Sequence, residues 1–370
     1  MAKFTKRRHS CLGFVQANHR INGLQNESFV RDFHRLVDVG WKHHHLPRNR
    51  YGLAFCFGHG VVLRTEAWKQ VGGFPLMVSE DIALTLSMRR QGYFGRHVPE
   101  VICGEGIPLT LGTWRKRHFR MVTADLECFF RAVVPFIWSK EVTLVEKVDA
   151  TVCTLRITLS ALFLPFLLAS SFLLLALEES SEPASVLTSW DFLMVNLLVA
   201  SGGYVRFVSD LFPQVGNAAR LISQITALQL SLFLTSILGV FTYGVTRRAH
   251  FFVTAAPAGS DGPVKGTSFL GCLAALNPNH TMVLAAEAIL SLLLAYFALT
   301  TLNWVMLAVS LSVFVMLLRH RLGWDWLPGR VLVHAPTLLL LLAVFSGLPG
   351  VPGLPGQVLI LASLSVLVYS

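Results

Sequence analysis

The feature that most constrains this chain is a run of 21 uncharged residues from Ile157 to Leu177. A helix of that length, at about 1.5 Å per residue, matches the roughly 30 Å hydrocarbon core of a bilayer. Weaker apolar stretches follow at about residues 190–208, 283–302, 304–318, 331–347 and 357–370. Together with 156–177 they predict about six spans. Asp191 and Arg206 lie near the ends of the second, and Gly347 to Gly356 (GLPGVPGLPG) breaks the last apolar stretch in two. With 53% hydrophobic and 14% charged residues, the composition excludes an ordinary soluble domain.

Charge divides the chain. Residues 1–150 carry 22 Lys/Arg against 13 Asp/Glu, whereas residues 151–370 carry 9 against 8. A basic, polar part of domain size therefore precedes a membrane part. Met1 to Ser10 is basic and passes into mixed sequence without the apolar core of a signal peptide, so the first part is expected inside. The six cysteines are scattered without a CxxC and read as reduced thiols.

The stretch at about 221–243 is apolar but contains Gln224, Thr226, Gln229, Ser231, Thr235 and Ser236. As an interfacial helix it keeps Arg247, Arg248, Arg319, Arg321 and Arg330 on the side of the N-terminal part, with Glu178, Glu179 and Glu182 opposite. As a span it moves later basic loops outside. The positive-inside bias favours the interfacial reading. Glu287, alone within an apolar run, reads equally as lining a water path or lying near the interface.

In the N-terminal part, β-like runs (Gly13 to Ala17, Ala54 to Phe57, Val61 to Arg64) mix with helical stretches (Ser28 to Trp41, and a short helix through Val71 capped by Thr65). This alternation predicts an α/β domain. Ser79-Glu80-Asp81 opens a helix over Ile82 to Gln91 that ends at Gly92. Its acidic first turn suits the helix dipole, and a carboxylate held there can also accept a substrate proton. Residues 113–133 form a basic amphipathic helix, suited to resting on anionic headgroups. Arg117 and Arg120 share one face of it and can grip a diphosphate. His43-His44-His45 reads as a solvated or packed run, because adjacent residues of regular structure cannot all reach one ion.

Read in order, Phe57-Gly58-His59-Gly60, Gly72-Gly73-Phe74, Ser79-Glu80-Asp81, Gly92-Tyr93, Pro99-Glu100, Gly104-Glu105-Gly106 and the Trp114 helix resemble the membrane-integrated family 2 glycosyltransferases of the cellulose synthase-like group, processive polysaccharide synthases. The resemblance covers about residues 12–256. It implies a partial GT-A α/β domain in residues 1–133, followed in 134–370 by an all-α transmembrane domain of about six spans plus interfacial helices. It also implies a multi-pass protein of the plasma (inner) membrane with its N-terminal domain in the cytoplasm.

By that resemblance Asp81 matches the catalytic base of the [ST]ED motif, with Glu80 beside it, and Gly58, His59 and Gly60 match the segment lining the acceptor pocket. Arg117-His118-Phe119-Arg120-Met121 aligns with the QxxRW motif; Arg120 is kept, while Arg117 stands for Gln and Met121 for Trp. Phe251, Val253 and Thr254 match the FxVTxK gating loop within about 247–256, with Ala256 in place of the Lys. In the family that loop follows an interfacial helix.

The resemblance implies a nucleotide sugar and a glycan acceptor as substrates, Mg2+ or Mn2+ as cofactor, the bilayer and other synthase subunits as partners, and no nucleic acid. The DxD motif that holds such a metal occurs nowhere in the chain. The expected protein is therefore an inverting membrane glycosyltransferase lacking its N-terminal donor-binding half. The alternatives are a non-catalytic membrane subunit or degenerate paralogue, and a transporter or channel built on the spans.

Overall fold

The computed structural model of the protein describes residues 11–21, 41–106, 110–159, 161, 165, 223–224, 226–249, 278–300, 304–322 and 331–339. The predicted helix over Ser28 to Trp41 (except Trp41 itself), the spans at 190–208 and 357–370, and Phe251, Val253 and Thr254 lie outside these residues.

Two compact units are formed. The first comprises Met1–Ile107, Arg120–Thr158 and Val240–Asp261, and the second Pro108–Phe119, Leu159–Gly239 and Gly262–Ser370.

The first unit is built on a three-stranded mixed sheet. Its central strand, β1 (Leu12–Ile21), pairs antiparallel with β2 (Val61–Leu63) and parallel with β3 (Phe94–Glu105), giving the order β2-β1-β3. A parallel partner needs a crossover, and the chain between β2 and β3 supplies the helices α1 (Thr65–Gln70) and α2 (Glu80–Arg90). β3 reads poorly as a strand, because it contains Gly95, Pro99 and Gly104. Gly95 is required where it stands: a Cβ there would lie 2.7 Å from the Ala54 carbonyl oxygen and against the Phe14 ring.

Ala54 to Phe57, expected as a strand, is extended but unladdered, with one isolated bridge from Leu53 to Gly95. Side chains take its amide protons instead. Cys56 N–H donates to Thr85 Oγ1 at 2.9 Å, and Phe57 N–H to Gln16 Oε1 at 3.0 Å. The segment is held from both sides by apolar packing. Phe14, Cys56, Ala67, Leu84 and Met88 form one core cluster, and Leu53, Phe55, Leu86, Val133, Phe136, Val142 and Ala150 form another. Each fully buried Leu or Phe contributes about 1.5–3 kcal/mol.

Helix starts differ in detail from the sequence reading. Thr65 is the first residue of α1 and not its cap, since the extended residue is Arg64. Ser79 precedes α2 without a side-chain capping bond, and the Asp81 carboxylate binds the Ile82 N–H instead. α3 (Leu111–Cys128) runs on through a π turn at Phe129–Val133 into the short α4 (Val134–Ile137).

α5 (Leu144–Leu159) begins well before the predicted first span. Thr143 and Glu146 exchange bonds as a capping box, Thr143 N–H to Glu146 Oε2 at 2.7 Å and Glu146 N–H to Thr143 Oγ1 at 3.4 Å. The same buried Glu146 pairs with Arg89 of α2, and Asp149 receives the Arg48 fork through two bonds of 2.8 Å. α2 and the 3-10 helix Leu46–Arg50 are thereby fastened to α5.

Of the stretch expected as an interfacial helix, residues 223–224 and 226–230 are helical, and α6 covers Phe233–Thr246. In the second unit α7 (Thr281–Thr300) and α8 (Trp304–Leu322) pack together. Buried serines join them reciprocally, Ser291 Oγ–H to the Ser310 carbonyl at 2.9 Å and Ser310 Oγ–H to the Ser291 carbonyl at 2.6 Å. Small residues of this kind let helices approach closely. Among the described residues one helix, Thr281–Leu299, is long and apolar enough to cross a membrane. Glu287 on it is buried, and Arg115 donates to it at 2.6 Å and to the Pro278 carbonyl at 2.8 Å.

Candidate active site

The site is assembled around a turn. Gly58 and Gly60 have φ of 77° and 62°, a left-handed conformation that favours glycine. Space makes the same demand at Gly60, where a Cβ would lie 2.7 Å from the Cys103 Cβ on β3. The turn is latched to β1 by Ala17 N–H donating to the Gly60 carbonyl at 2.8 Å. The fully buried Gln16 completes the latch, its amide donating to the His59 and Gly60 carbonyls at 2.9 and 3.2 Å while its Oε1 accepts from Phe57. Sequence reasoning missed Gln16. The available signal was a polar amide within the apolar run Gly13 to Ala17.

The turn faces the start of α2. Asp81 Oδ1 accepts the Ile82 N–H at 2.7 Å, and Oδ2 lies 3.4 Å from where a Cβ on Gly58 would stand. Glycine at 58 therefore brings no side-chain atom against the second carboxylate oxygen. Thr85, one turn further along α2, accepts from Cys56 N–H and donates to the Asp81 carbonyl at 3.1 Å. A continuous set of hydrogen bonds thus sets the acidic turn against the glycine turn.

Burial pushes the Asp81 carboxyl up to about 6, with the neighbouring Glu80 charge adding to the rise; the Ile82 N–H and the Arg120 guanidinium pull the other way. Among the described residues Asp81 makes no ion pair. Such a carboxylate is ionised at neutral pH yet basic enough to receive a proton from a hydroxyl. Arg120, half-buried, feels the charges of Glu80 and Asp81. Arg117 belongs to the second unit, where its guanidinium lies 5.4 Å from the centre of the Trp114 ring.

An aromatic and imidazole cluster adjoins the turn. His19 packs on Trp41, Phe57 and His59, with centroids 4.9, 6.0 and 3.9 Å away. Of the histidine run, His45 is packed against Trp41 and Phe57; the side chains of His43 and His44 lie outside the described residues. His97 is buried, and burial with the nearby Arg48 and His19 lowers its imidazole to about 3. It is neutral at physiological pH and lines a cavity of about 270 Å³ together with Asn18, Arg20, Trp41 and Lys42.

These residues offer a general base facing an open turn, a cation in the same acidic field, and a cavity with aromatic and cationic walls. The sequence model of the glycosyl transferase family group 2 matches residues 9–256, the stretch that holds all of them. No curated protein matches the chain.

Proposed function

Because the chain belongs to glycosyl transferase family group 2, and is therefore a glycosyltransferase whose substrates are a nucleotide sugar and an acceptor, we propose that it is a membrane-bound, inverting enzyme of the cellulose synthase-like group that elongates a glycan. The observation that carries this reading is Asp81, a carboxyl raised by burial to about 6 and facing the glycine turn.

In the proposed step the acceptor hydroxyl approaches Asp81 Oδ2 from the side of Gly58, which carries no side chain. The carboxylate takes the hydroxyl proton as the oxygen forms its bond to the anomeric carbon of the donor. The bond from that carbon to the diphosphate breaks on the opposite face, which inverts the centre and releases the nucleoside diphosphate. Arg120 is the candidate to receive the developing diphosphate charge. Gly58, His59, Gly60 and Glu80 line the acceptor side. Arg117 and the loop at Phe251, Val253 and Thr254 are proposed to act on the donor side.

The residues present do not fit the magnesium or manganese expected of the family. Those ions prefer shells of oxygen ligands. The chain has no DxD, and the grouping of three candidate ligands found among the described residues is nitrogen-rich. The steps assigned above are those of the chain's own side chains.

A multi-pass chain of the plasma (inner) membrane with its α/β unit in the cytoplasm is the proposed setting, in association with other synthase subunits. It is supported by the apolar run at 157–177, by α7, of whose apolar window 28% is buried, and by the basic charge of residues 1–150. The missing DxD favours a second reading, a non-catalytic subunit that holds a glycan for a partner synthase.

One experiment separates the two. Membranes containing the chain are assayed for transfer from radiolabelled nucleotide sugars to endogenous glycan, alongside Asp81→Asn. Transfer that Asp81→Asn abolishes supports the enzyme. Glycan retention without transfer, unchanged in Asp81→Asn, supports the subunit.

A further inference from the structure

In the parallel pairing of β1 with β3, His19 lies beside Cys103 and Ile21 beside Glu105. Cys103 and Glu105, two apart, share one face of β3. The Gly58–Gly60 turn closes over that face, with Gly60 against Cys103. Three elements distant in sequence thereby bring His19, His59 and Glu105 together, their ligand atoms all within 4.8 Å of one another. The geometry points to a divalent transition-metal site of the zinc class, formed by His19 Nδ1, His59 Nε2 and the Glu105 carboxylate beside the acceptor turn.

The surroundings of both rings suit such a site. A ligating imidazole donates its far N–H to a carbonyl or carboxylate, which fixes the ring and presents the other lone pair. His59 Nδ1 lies 3.3 Å from the Phe57 carbonyl oxygen, which leaves Nε2 as the ligand. His19 Nε2 lies 3.1 Å from the His59 carbonyl oxygen, which leaves Nδ1, itself 3.4 Å from Glu105 Oε2.

His19 Nδ1 lies 3.4 Å from Glu105 Oε2, and its Nε2 lies 3.0 Å from the Gln16 amide nitrogen. Metal binding at Nδ1 places the ring proton on Nε2, where the His59 carbonyl oxygen accepts it. The Gln16 amide keeps its two protons on the His59 and Gly60 carbonyls, which it already reaches.

Two neutral imidazoles and one carboxylate select zinc or cobalt over magnesium, and three protein ligands leave a coordination position open. The bound ion ties the turn to both strands, so loss of metal loosens the segment that positions an acceptor. That last consequence rests on the glycosyl-transfer reading; the binding itself does not.

The test uses the full chain in detergent, stripped with chelator and titrated with Co2+ and with Zn2+. Equimolar cobalt is expected to give the visible absorption of a low-coordinate nitrogen-rich site, displaced by Zn2+ and not by Mg2+. His59→Ala and Glu105→Gln are each expected to weaken Co2+ binding at least about tenfold, with near-ultraviolet dichroism verifying their folds. A His43→Ala, His44→Ala double variant is expected to leave the spectrum unchanged. Absence of the cobalt spectrum in the starting protein, its persistence at full affinity in both single variants, its loss in the double variant, or displacement by Mg2+ overturns the proposal. None of these outcomes depends on sugar transfer, so the two proposals fail separately.

Discussion

Asp81 in the first unit and Glu287 in the second are both carboxylates removed from most solvent contact, and the two units treat them in opposite ways. Glu287 receives a guanidinium directly, Arg115 at 2.6 Å. Asp81 receives a backbone N–H and no ion pair among the described residues, and its proton affinity rises. A buried charge with a partner is a fastening, whereas one left without a direct partner is a stored readiness to take a proton. The pairing of a carboxylate, more than its burial, tells which part of this molecule is built for chemistry.

The largest expected effect breaks the comparison on the Asp81 side. Asp81→Asn should lower the rate of sugar transfer on the order of a thousandfold, read by product formation under saturating substrates. In the unsubstituted protein kcat/KM should fall roughly tenfold per pH unit below the Asp81 value of about 6 and level off above it. The second prediction breaks the Glu287 side. Glu287→Ala strands Arg115 among buried groups and should cost about 3–5 kcal/mol in detergent unfolding, while the double variant with Arg115→Met should recover much of that loss.

Smaller effects sharpen the contrast. Gly60→Ala meets both a φ of 62° and the Cys103 side chain, so it should cost about 1–3 kcal/mol in thermal unfolding and raise KM for the acceptor. Asp81→Asn should stabilise as it inactivates. The folded carboxyl titrates near 6, above its ordinary 3.8, so ionising it costs stability as pH rises through that window. The Asn gain should therefore be about 1–2 kcal/mol above pH 6 and vanish below about pH 4. Thr85→Ala should cost about 1 kcal/mol by releasing the Cys56 N–H, with a change in the pH profile larger than the change in melting temperature.

Much of the site was legible because its residues carry local meaning. Glycines flanking His59 announce a turn, and an acidic pair before a helical stretch announces a helix start. The supporting side chains carry no such mark. Gln16 and Thr85 matter through bonds to residues 41 and 29 positions away, and no short-range pattern reports them. β3 was unreadable for a related reason: its glycines and proline argue against a strand locally, and only close packing on Phe14 explains Gly95. Glu287 left two readings open in the sequence, and its Arg115 bond was illegible there because the partner lies 172 positions away.

The amino-acid order by itself determined the basic and apolar halves, the acidic helix start, the glycine turn and the family to which these belong, since each depends on neighbours within a few residues or on composition. Tertiary structure alone decided how those pieces are used. It placed the Asp81 carboxylate beyond the reach of an ion pair among the described residues, gave Glu287 its arginine, and gathered His19, His59 and Glu105 at one spot. The reason is physical: burial and pairing set a charge's free energy, and both are properties of what surrounds a side chain in space.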